Sequence, residues 1–291
     1  MNERKGALFV VLAAVLWGLL PLFTRLIYAG GGDAFSVASM RSLVGGLAFI
    51  TIGLIRGSFK NVSLKAWLLY AATGIFASGG MYICYPLSIS YVSTAMASVL
   101  LYTAPAFVIL FSRIIYKERI TKEKGLALAL TFVGCCLVVR LYAPESLSLS
   151  LPGIIFGLLS GMTYSLVTVI GRKTLGLGDP WQASILPAIF TLLMFQIIRP
   201  VWTIDLSGAA VDLSYLALGL VCGMLPMLFY LTGMRGIEGG KASLIATLEP
   251  VVATLVGVLF LGDSLEGFQI LGILIVLAGT LVTSGFFKIK N

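Results

Sequence analysis

Apolar runs bounded by charged residues or Gly/Pro turns fall at about 6–28, 34–55, 66–88, 92–116, 125–140, 152–172, 181–198, 214–235, 242–261 and 267–286. Most are near the roughly 20 residues that a helix needs to cross the ~30 Å hydrocarbon core of a bilayer. The pattern predicts an all-α integral membrane protein with ten transmembrane helices, the fifth of them short and the third and fourth separated by little more than Tyr91. The first run follows Arg4 and Lys5 directly and continues through Pro21 with no small-residue cleavage site, so it is expected as a retained helix rather than a removed signal.

Charge in the connections sets an orientation. With the N-terminus inside, the inner connections hold sixteen Lys and Arg, from Arg4 and Lys5 through Lys60, Lys122, Lys124, Arg172 and Lys241 to Lys288 and Lys290. The outer ones hold Arg25, Arg140 and Arg199 beside the acids Asp33, Glu145, Asp205, Asp212, Asp263 and Glu266. Because Lys/Arg bias orients membrane helices, both termini are expected in the cytoplasm, with the chain in a cell inner membrane.

Composition narrows the function classes. Hydrophobic residues make up 59% of the 291 and charged residues only 11%, against roughly 25% charged in soluble domains, so little chain remains for a water-soluble domain. The net charge of +8 is scattered rather than gathered into a patch, which argues for a lipid-bilayer partner and against nucleic acid. Cys84, Cys135, Cys136 and Cys222 lie inside apolar runs without metal-ligand spacing, and read as small core residues. Histidine is absent, which removes the commonest proton shuttle and metal ligand. No P-loop is present, so neither a cofactor nor direct use of ATP is expected.

The chain repeats itself. A shift of 145 lays Gly74 on Gly219, Tyr85 on Tyr230, Ala97-Ser98 on Ala242-Ser243, Pro105 on Pro250, Glu118 on Asp263 and Gly134 on Gly279. A shift of 147 lays Gly6 on Gly153, Trp17 on Tyr164 and Arg25 on Arg172. Five helices per copy is an odd number, so residues 1–146 and 147–291 are expected as two inverted five-helix repeats, the arrangement from which alternating access is built.

Tyr102-Thr103-Ala104-Pro105 running to Tyr116-Lys117-Glu118-Arg119, and Leu248-Glu249-Pro250 running to Leu261-Gly262-Asp263-Ser264, resemble the paired signatures of the EamA family in the drug/metabolite transporter superfamily. Trp17-Gly18, Arg41, Gly134 and Gly279 extend the resemblance over nearly the whole chain. It departs from the family pattern at Asp263, where glutamate is usual, and at Tyr116-Lys117-Glu118, where Leu-Gly-Glu is usual. The resemblance implies a carrier of amino acids or other metabolites, more often an exporter than an importer.

Several residues are candidates for the substrate site. Glu249 falls near the middle of the ninth helix, where an acid costs roughly 2.5–3.5 kcal/mol on insertion scales and so faces a cavity or a partner. It is an amine contact or proton carrier on one reading, and a buried carboxylate pinning a neighbouring helix on the other. Arg41, two turns into the second helix, suits bidentate contact with a carboxylate; alternatively it snorkels, or pairs with a carbonyl or with Glu249. Pro105 and Pro250 break helices at matching positions, which points to a central site or to packing kinks. Ser78, Tyr82 and Tyr85 share one face of the third helix. With Tyr102 and Tyr230, and with the symmetric pair Trp17 and Tyr164, they suggest aromatic walls that attract ammonium groups. The bland reading makes these rings interface markers and bundle filling.

Gly153, Gly157 and Gly161 form a small-residue stripe that packs against a helix of this chain or of a second copy in a homodimer. Gly176-Leu177-Gly178-Asp179 matches the GxGD of intramembrane aspartyl proteases, but sits in a short turn without a second intramembrane aspartate, so it is not expected to be catalytic. The expected protein is a secondary transporter of a small polar or amphipathic metabolite, an amino acid or amine, its cavity lined by helices one, three, four, six, eight and nine. An importer of an amine or quaternary ammonium compound, or a scaffold subunit that transports nothing, is the alternative.

Overall fold

The computed structural model describes residues 1–60, 62–147, 150–206 and 208–283. Lys288, Lys290 and the side chain of Glu145, three of the charges counted above, lie outside the described residues. Among the described residues all regular structure is helical. The principal helices are α1 (Glu3–Ala29), α2 (Ala34–Arg56), α3 (Leu64–Ile89), α4 (Thr94–Tyr116), α5 (Lys122–Val138), α6 (Leu151–Leu175), α7 (Pro180–Ile198), α8 (Ala209–Gly233), α9 (Gly239–Phe260) and α10 (Gly267–Thr283). All but α5 and α10 are long and apolar enough to cross a membrane. The short α5 starts three residues earlier than the hydrophobic run because Thr121 caps it by accepting from the Lys124 amide. α8 likewise begins at Ala209, five residues ahead of its apolar run.

Side-chain caps hold the connections short. Asp33 and Ser36 form a reciprocal capping box at the start of α2, with Ser36 N donating to Asp33 Oδ1 at 2.6 Å and Asp33 N to Ser36 Oγ at 2.8 Å. Ser63, Ser93 and Asp179 cap α3, α4 and α7 in the same one-sided way as Thr121. Asp179, the aspartate of the GxGD match, thus serves as a helix cap and also pairs with Arg56 at 3.7 Å.

Four helices are interrupted, in matched pairs. α3 and α8 each contain a widened π-helical segment, Thr73–Gly79 and Leu218–Met224, whose bounds differ by 145. α4 and α9 each break one turn before a proline, at Tyr102-Thr103 and Thr247-Leu248, again 145 apart. Pro105 and Pro250 therefore sit in the first turn of a second half-helix, where the missing N–H costs no hydrogen bond. α1 also changes course, at Leu19, because Pro21 cannot donate back to the preceding turn.

Packing follows the same repeat. α5 and α10 lie against one another along their length, closely enough that a Cβ at Gly134 would stand 2.9 Å from the Gly272 carbonyl oxygen and 2.7 Å from Val276. A Cβ at Gly279 would stand 3.2 Å from the Ala127 carbonyl oxygen and 2.8 Å from Thr131. Ala127, Thr131 and Gly134 lie 145 residues before Gly272, Val276 and Gly279, so the contact is reciprocal, as in a two-fold interface. The Gly153, Gly157 and Gly161 stripe packs within the chain, against Val92, Leu100 and Thr103, with Ser88 Oγ donating to the Gly153 carbonyl at 2.8 Å.

Ion pairs divide the charged residues between two ends. Glu3–Lys241, Arg56–Asp179, Lys124–Glu118, Lys124–Glu238 and Arg172–Glu118 lie at the end that carries the N-terminus. Arg25–Asp263, Arg140–Glu266 and Arg199–Asp33 lie at the other. Each of these pairs joins residues that alternating passage through a bilayer puts on one side.

Candidate functional site

Between the helices lies a cavity of about 600 Å³. Its walls come from α1, α2, α3, α4 and α9, with Gln269 of α10 at one side. Arg25, Tyr28, Asp263 and Ser264, from the helix ends opposite the N-terminus, stand at its mouth. Trp17, Arg41, Tyr82, Tyr102 and Glu249, from helix middles, form its floor. Two of the smaller spaces share Glu249 with that floor. One is bounded by Trp17, Arg41, Ser78, Tyr82, Tyr164 and Glu249. The other takes in Tyr102, Pro105, Tyr164, Tyr230 and Glu249.

Arg41 is held in a defined pose. Its Nη2 donates to the Cys222 carbonyl at 2.5 Å, and its guanidinium lies 5.2 Å from the centre of the Tyr82 ring. Cys222 belongs to the π-helical segment of α8, where the widened turn interrupts the regular ladder and presents a carbonyl sideways. Gly223 leaves room for the arginine stem, since a Cβ there would meet Arg41 Cγ at 3.3 Å. The Nε of Arg41 is buried and has no partner among the described residues. The guanidinium is thus fixed on one side and keeps an unused donor.

Glu249 opens the half-helix Glu249–Phe260 rather than sitting in a continuous helix, as the sequence pattern suggested. The positive end of the helix dipole supports its charge there. Among the described residues its carboxylate makes no hydrogen bond and no ion pair, although Arg41 lines the same cavity. A half-buried acid with open acceptors beside a cavity is poised to meet something that enters it.

The aromatic candidates gather around these two charges. Trp17 packs edge-on to Tyr164 at 6.3 Å and against Tyr230 at 5.5 Å. Tyr85 shares a hydrogen bond with Ser98 at 2.9 Å and lines the large cavity. Tyr230 is fully buried and bonded to Thr168 at 2.7 Å, so it supports Trp17 from behind and does not face the large cavity. Ser78 and Tyr164 bound only the smaller spaces. Pro105 borders one small space and Pro250 the large one. Helix α2 joins the lining through Ala34, Val37, Ala38 and Arg41, whereas α6 and α8 reach only the floor spaces. Sequence reasoning left out Arg25, Tyr28, Ser98 and Asp263 as cavity residues; the repeat register, which singled out Arg25, Ser98 and Asp263, was the available signal.

These features define a multi-pass helical membrane protein with a polar-floored central cavity that reaches one end of the bundle. The EamA-like transporter family profile matches residues 4–140 and 151–285. The chain belongs to that family. It is 31% identical over 96% of each chain to an uncharacterized transporter of Archaeoglobus fulgidus, and 25% identical to an uncharacterized inner membrane transporter, YicL, of Salmonella typhimurium, covering 97% of this chain and 96% of that one. A solved structure described only as a protein crystal structure superposes with a TM-score of 0.84 at 18% identity, over 97% of this chain and 96% of that one, which shows a shared fold.

Proposed function

We propose that this protein is a secondary transporter that moves an amino acid or amine across the inner membrane by alternating access. The observation that carries this reading is the cavity floor, where a carboxylate without a partner and a guanidinium with a spare donor sit beside the paired helix breaks. A solute carrying a carboxylate and an ammonium group satisfies both. Arg41 then takes the carboxylate and Glu249 the ammonium, while Trp17, Tyr82, Tyr85, Tyr102 and Tyr164 enclose the rest. Ser78 and Tyr230 complete the floor from below and behind.

Two inverted five-helix repeats, residues 1–146 and 147–291, are the moving parts of this reading. The matched π segments, matched breaks and reciprocal α5–α10 contact support them, as does a family profile that falls once in each half. The more basic end is assigned to the cytoplasm by the positive-inside rule. Cysteine placed at Lys60 or Lys122 should then resist an impermeant maleimide added outside intact cells, and reaction there would reverse the orientation. Export is assigned from the family resemblance. Uptake of a quaternary ammonium compound is the second reading, favoured by the Trp17–Tyr82–Tyr164 floor beside Glu249.

A thermal-shift series on purified protein separates them. A ligand present at 100 times its Kd stabilises by about 2.7 kcal/mol, so amino acids should raise the melting temperature by several degrees and tetramethylammonium should not. The reverse ranking selects the second reading. Arg41→Lys should weaken amino-acid binding about tenfold, by ~1.4 kcal/mol, because the point-charge ammonium reproduces neither the fork nor the ring stacking. Its effect on a simple amine should be small.

A further inference from the structure

Each end of the molecule carries an arginine–carboxylate pair built to the same plan. At the N-terminal end Arg172 of α6 pairs with Glu118, just beyond α4; at the other, Arg25 of α1 pairs with Asp263, beyond α9, at 2.5 Å. The repeat register lays Arg25 on Arg172 and Glu118 on Asp263. The carboxylates are presented alike. The chain turns through a left-handed residue, Lys117 at φ 56° or Gly262 at φ 74°. The next amide then bonds back six residues, Glu118 N to the Ser112 carbonyl at 3.3 Å and Asp263 N to the Gly257 carbonyl at 3.1 Å. Both pairs join one half of the chain to the other.

Their surroundings differ. Glu118 and Lys124 are buried, their side chains 7% and 6% exposed, and Lys124 also binds Glu238 of the other half at 2.6 Å. Arg172 covers the Tyr116 ring at 4.8 Å, and Tyr116 in turn donates to the Val169 carbonyl at 2.6 Å. Arg25 and Asp263 are 50% and 40% exposed and stand at the cavity mouth. Neutral Gln269 and Ser93 occupy the positions that match Lys124 and Glu238.

We propose that the two pairs are alternating end gates, with Arg172–Glu118, backed by Lys124 and Glu238, locking the N-terminal end while Arg25–Asp263 is the weaker latch across the mouth. This rests on the alternating-access reading. Opening the N-terminal end separates a four-group network with Glu118 and Lys124 buried at its centre, whereas the pairs that cross the halves at the mouth end, Arg25–Asp263, Arg140–Glu266 and Arg199–Asp33, are each more than a third exposed and contribute less. The unliganded carrier therefore rests facing the mouth.

The test uses full-length protein in membrane vesicles, with the four native cysteines replaced and a single Ala253→Cys substitution in the cavity wall. An impermeant maleimide should label it from the mouth face in the parent. Arg172→Gln should shift the ratio of labelling rates toward the N-terminal face by at least about fivefold. Glu118→Gln should do the same, and the double variant should go little further than either single one, because each removes the same pair. Asp263→Asn should speed labelling from the mouth without exposing the other face. Unchanged ratios in the folded Arg172→Gln variant, or a parent that does not label from the mouth, would overturn the proposal. Labelling reads exposure and not flux. A protein that shifts its labelling yet moves no solute therefore keeps the gates and loses the transport reading, and flux with unmoved labelling does the reverse.

Discussion

Glu249→Gln should reach the membrane at normal levels, melt close to the parent in detergent, and lose roughly ten- to a hundredfold in solute flux. The direction follows from the absence of any hydrogen-bond or ion-pair partner for this carboxylate among the described residues, so neutralising it breaks no internal bond. The magnitude is that of one charged hydrogen bond to a substrate, about 1.5–3 kcal/mol, with each ~1.4 kcal/mol worth tenfold. Were Glu249 a pin between helices, the variant would instead lose stability, by roughly 3–5 kcal/mol for one broken buried pair. Flux and melting temperature on one preparation decide the matter: full flux in a folded variant removes Glu249 from the site.

Gly134→Val should cost at least ~3 kcal/mol, the upper end for overpacking a tight interior, because the obstacle is the backbone of α10 and not a side chain that can turn away. That corresponds to a fall of about 6–12 °C in melting temperature. Gly279→Val, at the reciprocal position, should behave alike. Gly125→Ala in the same helix α5 meets nothing within 4 Å and should be neutral or slightly stabilising. A Gly134→Val protein as stable as the parent would mean that α5 and α10 do not pack as described.

The helices were legible because a membrane span is written in twenty apolar letters, but the caps that set their starts, Asp33, Ser63, Ser93, Thr121 and Asp179, lie outside that pattern, which is why α5 begins three residues ahead of its apolar run. The helix breaks were legible from Pro105 and Pro250, though each falls one turn ahead of its proline. The π-helical segments were not, since Thr73–Gly79 and Leu218–Met224 share no composition that distinguishes them from ordinary helix. The carbonyl that seats Arg41 was hidden with them. The left-handed turn at Gly262 has a visible cause, but its counterpart rests on Lys117, a residue type that seldom adopts that conformation. The gathering of Trp17, Arg41, Tyr82 and Glu249 around one floor could be suspected from their types, yet their separation into cavity-facing and supporting groups needed the packing. Tyr230 shows why: its place in the repeat matches Tyr85, but Thr168 holds it behind Trp17.

The central claim is that this chain carries solute, and flux through the purified protein tests it most directly. Proteoliposomes loaded with a mixture of unlabelled amino acids should accumulate external radiolabelled amino acid by exchange, without ATP, at a rate that falls at least tenfold (~1.4 kcal/mol) when Glu249→Gln protein is substituted. Uptake no faster than in protein-free liposomes, across amino acids and amines alike, would contradict the account and leave the fold to a membrane subunit that transports nothing.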